Sequence, residues 1–139
     1  MAKLELNIHL SYSQLCIYIP HLPAPLNDWS EKNLAQGYSW RPCSSSFRTL
    51  VDDGPHKINV FINEPYPPLT PQVVRHFKVH FETMDGLVSI ASITDAIPIE
   101  VPAGSYLLQV EFLAPEQQAV PEVNVRFNKH QQEEKLPIN

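Results

Sequence analysis

The chain has 139 residues, of which 43% are hydrophobic and 18% charged, and its formal net charge is −5. This length and apolar content fit one folded domain rather than a disordered segment, and the negative charge argues against a protein that holds nucleic acid through phosphate contacts. No apolar run approaches the ~20 residues of a membrane span, and residues 1–10 lack the pattern of a signal peptide, so we expect a cytoplasmic protein.

The first two strands follow from simple patterns. Leu4 to Leu10 alternates apolar and polar residues with a period of two, which predicts a half-buried strand. Gln14 to Ile19 is apolar on both faces, which predicts a central strand. Prolines at positions 20, 23 and 25 then end strand pairing.

Asp28 to Tyr38 is the one stretch that carries helix signals. Asp28 is the expected N-cap, Glu31 stands at the capping-box spacing from it, and Gly37 is placed to end the helix in the left-handed conformation. Two turns of helix are not stable alone. We therefore expect a helix near Ser30–Gln36 whose flanking apolar residues dock it on a sheet, namely Trp29, Leu34 and Tyr38.

The second half of the chain repeats the strand pattern. Val73 to Glu82 is the clearest strand, and Asp85-Gly86 is a preferred two-residue hairpin turn. A hairpin there would set Phe81 opposite Ile90, so that the two apolar rows coincide. Further strands are predicted at Tyr38–Trp40, Lys57–Asn63, Ile97–Val101, Tyr106–Leu113 and Glu122–Phe127, with residues 44–46 as a loop or strand edge. Pro98 cannot donate a ladder hydrogen bond, which places its strand at a sheet edge.

These elements predict an all-β fold, an antiparallel β-sandwich or open barrel of about nine short strands with one short helix. We expect a single β-sandwich domain over residues 1–128 and a flexible C-terminal tail over residues 129–139. The two cysteines, Cys16 and Cys43, are expected to be free, as is usual in a reducing compartment.

The residues that carry chemistry elsewhere do not combine into a known site here. His76 and His80 are four positions apart, but on a strand this spacing spans ~13 Å, too far for two ligands of one metal. The four glycines fit turns or a helix end and cannot build a phosphate-binding loop or a nucleophile elbow. The sequence therefore predicts no catalytic residue, no metal ligand and no cofactor.

Two sets of residues remain as candidates for binding. Carboxylates expected in turns or at exposed strand positions could oppose a basic partner, and these are Asp52, Asp53, Glu64, Asp85 and Glu100. Four aromatic residues could either stack on a sugar or fill the core and dock the helix, and these are Trp29, Tyr38, Trp40 and Phe47. Sequence spacing leaves both interpretations of the aromatic set open.

Short motifs follow one another along the chain in a recognisable order. They are Ser11-Tyr12-x-Gln14, Asp28-Trp29, Gly37-Tyr38, Ser46-Phe47 and Pro102-x-Gly104-x-Tyr106-x-Leu108. In this order and spacing they resemble the competence protein J family, and the likeness runs from about Leu6 to Val125. The proline-rich stretch Pro65–Pro71 has no counterpart that we identify.

The resemblance implies a non-enzymatic cytoplasmic protein that binds a DNA-degrading nuclease and blocks it. From the charge and the lack of long apolar runs we expect no direct contact with nucleic acid or membrane. The family's pattern positions are expected to be mostly structural, and they are Ser11, Tyr12, Gln14, Asp28, Trp29, Gly37, Tyr38, Phe47, Gly104 and Tyr106. Two other function classes stay open from the residues: a sugar- or small-ligand-binding β-sandwich that uses the aromatic set, and an enzyme of unrecognised type. A homo-oligomer is compatible with each.

Overall fold

Ten strands and one short helix make up the part of the chain that the structure describes. The computed structural model describes residues 2–65, 68–116 and 119–129. The elements are β1 Ala2–Leu10, β2 Gln14–Tyr18, α1 Glu31–Gln36, β3 Tyr38–Arg41, β4 Ser44–Arg48, β5 Gly54–Ile62, β6 Val73–Thr83, β7 Leu87–Ala91, β8 Ala96–Glu100, β9 Gly104–Leu113 and β10 Glu122–Lys129. Apart from Lys129, the predicted tail lies outside the described residues.

The strands lie in two five-stranded sheets. The first sheet has the order β1-β5-β10-β9-β6, and the second has the order β3-β4-β2-β7-β8. Neighbouring strands are antiparallel except β5 and β10, which run parallel. The predicted β-sandwich with one short helix is confirmed, with a single parallel pair in the described strands. β2 is central and β8 lies at an edge, as predicted.

Apolar side chains from both sheets meet in one core. The largest fully buried apolar residues are Tyr106, Phe47, Phe81, Phe112, Phe127, Leu10, Leu15, Ile17, Ile58, Ile90 and Leu108. Each such side chain stabilises the fold by about 1.5–3 kcal/mol relative to an exposed position. The alternation that predicted the strands therefore also identified the faces that they bury.

Four short connections carry the chain from one sheet to the other. They comprise residues 11–13 and 49–53 at one end of the sandwich and residues 84–86 and 101–103 at the opposite end. At the first end, the backbone N–H of Ser13 donates to the carbonyl of Asp52 at 2.8 Å. At the opposite end, the N–H of Val101 donates to the carbonyl of Gly86 at 2.8 Å. Each end is thus closed by two crossing connections that hydrogen-bond to each other.

The predicted hairpin after Glu82 is wrong. β6 pairs with β9 in the first sheet, whereas β7 lies between β2 and β8 in the second sheet. Phe81 and Ile90 are both buried, but they enter the core from opposite sheets. Alternation specifies which face of a strand is buried and not which strand lies beside it, because the period of two is the same in both arrangements. The apolar residues of β6 and β7 therefore face each other across the core of the sandwich and are not neighbours in one hydrogen-bonded sheet.

The Asp85-Gly86 turn exists, but it redirects the chain into the other sheet. A carboxylate oxygen of Asp85 accepts from the backbone N–H of Leu87 at 3.0 Å, and the Thr83 hydroxyl donates to the Leu87 carbonyl at 2.9 Å. Gly86 has a φ of +80°, and a Cβ atom there would lie 2.2 Å from the Val101 carbonyl oxygen. Only glycine fits that approach.

The helix spans Glu31–Gln36, close to the predicted Ser30–Gln36, but its capping residues differ from the predicted ones. Its N-cap is Ser30 rather than Asp28, and the reciprocal capping partner is Asn33 rather than Glu31. The backbone carbonyl of Asp28 instead accepts from the Ser39 hydroxyl at 2.7 Å, which holds this residue in the approach to the helix. Gly37 ends the helix in the left-handed conformation, as predicted. No described helix has the length and apolar content that crossing a membrane requires.

Residues 44–46, predicted as a loop or strand edge, form the first part of β4 inside the second sheet. All three serines are buried. The Ser44 hydroxyl donates to the Pro25 carbonyl, and the Ser46 hydroxyl donates to the Cys16 sulfur at 3.6 Å. The prediction failed because tertiary partners satisfy the buried hydroxyls of Ser44 and Ser46, whereas the Ser45 hydroxyl has no hydrogen-bond partner among the described residues.

A buried ion pair lies on the outer face of the first sheet. Arg126 donates from Nε to a carboxylate oxygen of Glu111 at 3.1 Å, and both side chains are less than a tenth exposed. Glu111 also accepts from the side-chain amides of Gln109 at 2.5 Å and Asn124 at 3.1 Å. The Arg126 guanidinium covers the Phe61 ring, 4.3 Å from its centroid. The buried carboxylate therefore depends on the guanidinium for its only opposite charge within this network.

We predict that Arg126→Met lowers the free energy of unfolding by about 3–5 kcal/mol, because Glu111 then stays buried without its counter-charge. The double variant Arg126→Met/Glu111→Leu should recover most of that loss. Lys57→Met is the control, since Lys57 pairs with Glu5 at 3.3 Å where both side chains are exposed, and it should cost less than about 1 kcal/mol. Urea unfolding of the four proteins measures this, and a double variant as unstable as the single would contradict it.

A buried histidine makes stability depend on pH. His56 on β5 is buried, its Nδ1 lies 2.9 Å from the Gly54 carbonyl oxygen, and burial lowers the pKa of its imidazole below the ordinary value of 6.5. Below that value the unfolded chain binds a proton that the folded chain does not. The folded state is therefore favoured at and above neutral pH and loses stability as the pH falls.

We predict that the wild-type protein loses up to about 1.4 kcal/mol of stability per pH unit through His56 on acidification below pH ~6.5. His56→Gln removes the titrating group and should flatten that dependence, whereas His76→Gln, at an exposed position of β6, should leave it unchanged. Urea unfolding at a series of pH values below ~6.5 gives the slope of the unfolding free energy against pH for each protein. Parallel slopes for wild type and His56→Gln would show that another group is responsible.

Candidate functional site

The connection between β1 and β2 is a strained two-residue turn. Tyr12 and Ser13 have φ angles of +55° and +57°, and the N–H of Gln14 donates back to the Ser11 carbonyl at 3.2 Å. Two consecutive positive φ angles define the type I′ turn, which normally takes asparagine or glycine. A tyrosine and a serine held there cost about 1–3 kcal/mol each. The surrounding fold must therefore hold this turn in place.

The second crossing connection supplies that support. Besides the Ser13–Asp52 backbone bond, the N–H of Thr49 donates to the Ser13 carbonyl at 3.0 Å. The Ser13 hydroxyl also donates to the Asp52 carboxylate at 3.0 Å. The turn is thus fixed on both sides of Ser13, which leaves the Tyr12 side chain projecting outward.

A pocket opens beside the turn. Its volume is about 300 Å³, and it is lined by Tyr12, Ser13, Gln14, Trp29, Leu34 and Arg48. The Trp29 indole N–H donates to the Gln14 side-chain carbonyl at 3.1 Å, which ties the approach to the helix to the start of β2. Tyr12 is 72% exposed and Leu34 is 49% exposed. We call this end of the sandwich, with residues 11–13, 49–53, Trp29 and Leu34, the turn face.

The docking role predicted for the helix residues is only partly correct. Tyr38 is buried, and its ring centroid lies 5.5 Å from that of Phe77. Trp29 is half-buried and Leu34 is largely exposed, whereas Asn33 is the buried residue of the helix. Asn33 donates to the Tyr38 carbonyl at 3.3 Å. A polar side chain therefore anchors the helix, and the apolar residues are left at the pocket.

The aromatic set does not form a common platform. Phe47 and Tyr38 both pack against Phe77 in the core, with the Phe47 and Phe77 centroids 5.6 Å apart. Trp40 donates its indole N–H to the His80 carbonyl at 2.6 Å. Of the four rings only Trp29 reaches the pocket, and its aromatic neighbour there is Tyr12. The sugar-stacking interpretation in its predicted form is therefore wrong.

The structure divides the candidate carboxylates between the two ends. Asp52 and Asp53 belong to the turn face and are exposed, and a carboxylate oxygen of Asp53 lies 3.0 Å from Nε2 of His9. Glu64, Asp85 and Glu100 lie at the opposite end, near the residues that follow β5, β6 and β8. Strand β5 alone separates the ends by roughly 30 Å at about 3.3 Å per residue. One partner surface of ordinary size cannot centre on both groups.

The three acidic residues at the opposite end differ in their local contacts, and the Asp85 carboxylate stabilises the turn before β7. The hydrogen bond from the Leu87 N–H holds the pKa of its carboxyl below the usual value, and the nearby His21 ring and Thr83 hydroxyl act in the same direction. The Glu64 carbonyl accepts from the Asn128 side chain at 3.0 Å. Glu100 is exposed and stands opposite Leu87 in the β7–β8 register.

The ten pattern positions likewise separate into two groups. Four meet at the turn face, and they are Ser11, Tyr12, Gln14 and Trp29. The other six support the fold: the Asp28 carbonyl accepts from the Ser39 hydroxyl, Gly37 ends the helix, Tyr38 and Phe47 lie in the core, and the Tyr106 hydroxyl donates to the Pro102 carbonyl. Gly104 has a φ of +142° where β9 begins. Tyr12 is thus the pattern position least explained by packing.

The sequence analysis did not identify Ser13, Leu34 and Arg48 as lining residues of one pocket. A signal was present, because only three residues separate the first predicted strand from the second and a tyrosine is the middle one. The two strands belong to different sheets, which the alternation does not reveal.

The thiols and histidines show no reactive arrangement in the described part of the chain. Cys16 and Cys43 are both free, and burial raises the pKa of each thiol above its usual value, so both stay protonated at neutral pH. Among the described residues, no group of three or more His, Cys, Asp or Glu side chains is arranged to hold a metal ion.

Solved structures share this fold. The chain superposes on the crystal structure of ComJ from Bacillus subtilis, described as an inhibitor of the DNA degrading activity of NucA, with a TM-score of 0.78, 17% identity and coverage of 91% of this chain and 95% of that one. It also matches a structure named Crocagin biosynthetic gene J with a TM-score of 0.65, 12% identity and coverage of 94% and 100%. A search of curated proteins gives no significant match.

A family profile covers most of the chain. The profile of Competence protein J (ComJ) matches residues 7–133, a span that includes the helix, the whole turn face and both sheets except for the first five residues of β1. This match agrees with the order of motifs in the sequence and with the shared β-sandwich. The chain belongs to the Competence protein J family.

Proposed function

We propose that the protein is an inhibitor that binds a DNA-degrading nuclease and blocks the cleft through which the nuclease contacts DNA. Family membership over residues 7–133 is the observation that carries this proposal. The structural relative from Bacillus subtilis is an inhibitor of the DNA degrading activity of NucA, and the proposal transfers that mode of action to this chain.

The net negative charge of the chain also supports a nuclease as the partner. A nuclease meets the phosphates of DNA with basic residues, and a protein that covers that groove gains association rate and specificity by opposing it with carboxylates. This chain has 15 acidic and 10 basic side chains. The excess is modest, so it supports the choice of partner and does not by itself identify one.

The proposed mode of action is stoichiometric binding rather than catalysis. A stable complex of this kind buries roughly 1,200–2,000 Å² of surface in total. The nuclease would be met in the cytoplasm, a reducing compartment in which free cysteines such as Cys16 and Cys43 are the rule.

The test is a plasmid-degradation assay with the DNA-entry-type nuclease of the same organism, titrated with the purified protein. We expect cleavage to fall in proportion to added protein and to stop near one equivalent, because inhibitor and enzyme form a complex of fixed composition. Size-exclusion chromatography should show the two proteins eluting together.

Two controls separate inhibition from other effects. An unrelated nuclease should cut the same plasmid at full rate, which excludes sequestration of DNA by this protein, and the protein alone should not retard DNA on a gel. Full cleavage by the target nuclease in the presence of excess protein, together with separate elution, would refute the proposal for that target.

A further inference from the structure

We propose that the turn face is the surface that meets the nuclease, with Tyr12 as the central anchor and the adjoining pocket as the receiving site for a partner side chain. This inference rests on the proposed function and deepens it by naming the contact surface. The proposed occupant is the basic, DNA-contacting groove of the nuclease.

Backbone strain is the first argument. The fold needs a tight reversal between β1 and β2, and glycine or asparagine would supply it at lower cost than Tyr12 and Ser13. Tyr12 is 72% exposed, so its ring does not recover that cost by entering the core. A strained position that carries a large exposed side chain is typical of a residue whose use lies outside the folded monomer.

The chemistry of the surface is the second argument. Tyrosine is among the residues that most often carry binding energy at interfaces, where its rigid ring fills a pocket and its hydroxyl keeps a polar contact. Here the exposed ring stands beside a pocket of about 300 Å³ with the apolar side chains of Trp29 and Leu34 on its wall. A ring that projects next to a receptive pocket lets the two partners interlock.

Charge selects the partner. Asp52 and Asp53 are exposed beside the turn, where they can oppose the basic residues of a DNA-binding groove. Arg48 also lines the pocket, and we expect it to meet an acidic or polar group of the nuclease. The Asp52 carboxylate accepts from the Ser13 hydroxyl and Asp53 lies 3.0 Å from Nε2 of His9, while Asp85 at the opposite end is engaged by Leu87 and Thr83. The choice between the two ends therefore rests on Tyr12 and the pocket beside it.

The experiment compares the two ends with matched substitutions. Tyr12→Ala and Asp53→Lys alter the turn face, and Met84→Ala and Glu100→Lys alter the opposite end, where Met84 is 95% exposed. Dissociation constants and association rates are measured by surface plasmon resonance against the immobilised nuclease, at low and at physiological salt.

We expect Tyr12→Ala to weaken binding at least ~30-fold, the effect of losing a hot-spot residue, and Met84→Ala to change it less than about twofold. Asp53→Lys should slow association by about tenfold at low salt and less at higher salt, where charges are screened. Glu100→Lys should slow association less than Asp53→Lys does. Wild-type affinity for Tyr12→Ala, or a larger loss from the opposite-end variants, would overturn the assignment.

A glycine variant separates binding from folding. Tyr12→Gly removes the ring and also relieves the positive φ, so its melting temperature should rise by about 2–6 °C while its affinity falls as far as that of Tyr12→Ala. A variant that is more stable and yet fails to bind cannot owe its defect to misfolding. A lower melting temperature with unchanged affinity would show that Tyr12 serves the fold alone.

Two remaining outcomes are also decisive. If the wild-type protein itself does not bind the nuclease, the proposed function and this inference fail together. If the wild-type protein binds and the turn-face variants bind with the same affinity, only the assignment of the contact surface is refuted. Size-exclusion chromatography of the protein alone tests a second copy of the chain as occupant. A dimer that Tyr12→Ala dissociates would overturn the nuclease as the partner of this surface.

Discussion

The need to cross between two facing sheets shapes both ends of this molecule. Each sheet buries one apolar face against the other, so a strand that continues in the opposite sheet must be reached within a few residues. Three of the four crossings have only three residues, and those at residues 11–13 and 84–86 contain positive φ angles. At Gly86 the close approach of the Val101 carbonyl admits only glycine. At Tyr12 no such contact exists, and a large side chain is tolerated at the expense of strain.

Local patterns predicted the strands but not their partners. Alternation located β1, β5, β6 and β10 because each has one mostly apolar face in the core and one mostly polar face directed away from it. It failed for the pairing of β6 because a strand shows the same alternation of apolar and polar residues whether the next strand along the chain pairs with it in one sheet or faces it from the other sheet. The Pro98 strand was placed correctly at an edge because proline excludes a ladder hydrogen bond, which is a property of the residue itself.

The candidate site was harder to predict because it is made of residues from distant segments. Tyr12, Trp29 and Arg48 come together only after β2 enters the second sheet and the helix docks through Asn33. Sequence analysis named Tyr12 and Trp29 as pattern positions expected to be mostly structural, and it left a binding role open for Trp29 alone. It also treated five carboxylates as one set, and only the strand lengths show that Asp53 and Glu100 stand at opposite ends of the molecule.

The parallel pairing of β5 with β10 has a consequence for how the protein is made. β5 joins β1 on one side and the last described strand on the other, so the middle of the first sheet stays open until residues 122–129 have left the ribosome. Contacts between such distant segments close large loops and slow folding. During synthesis the exposed edge of β5 is therefore a surface on which a chaperone, or another nascent chain, can act before the native neighbour arrives.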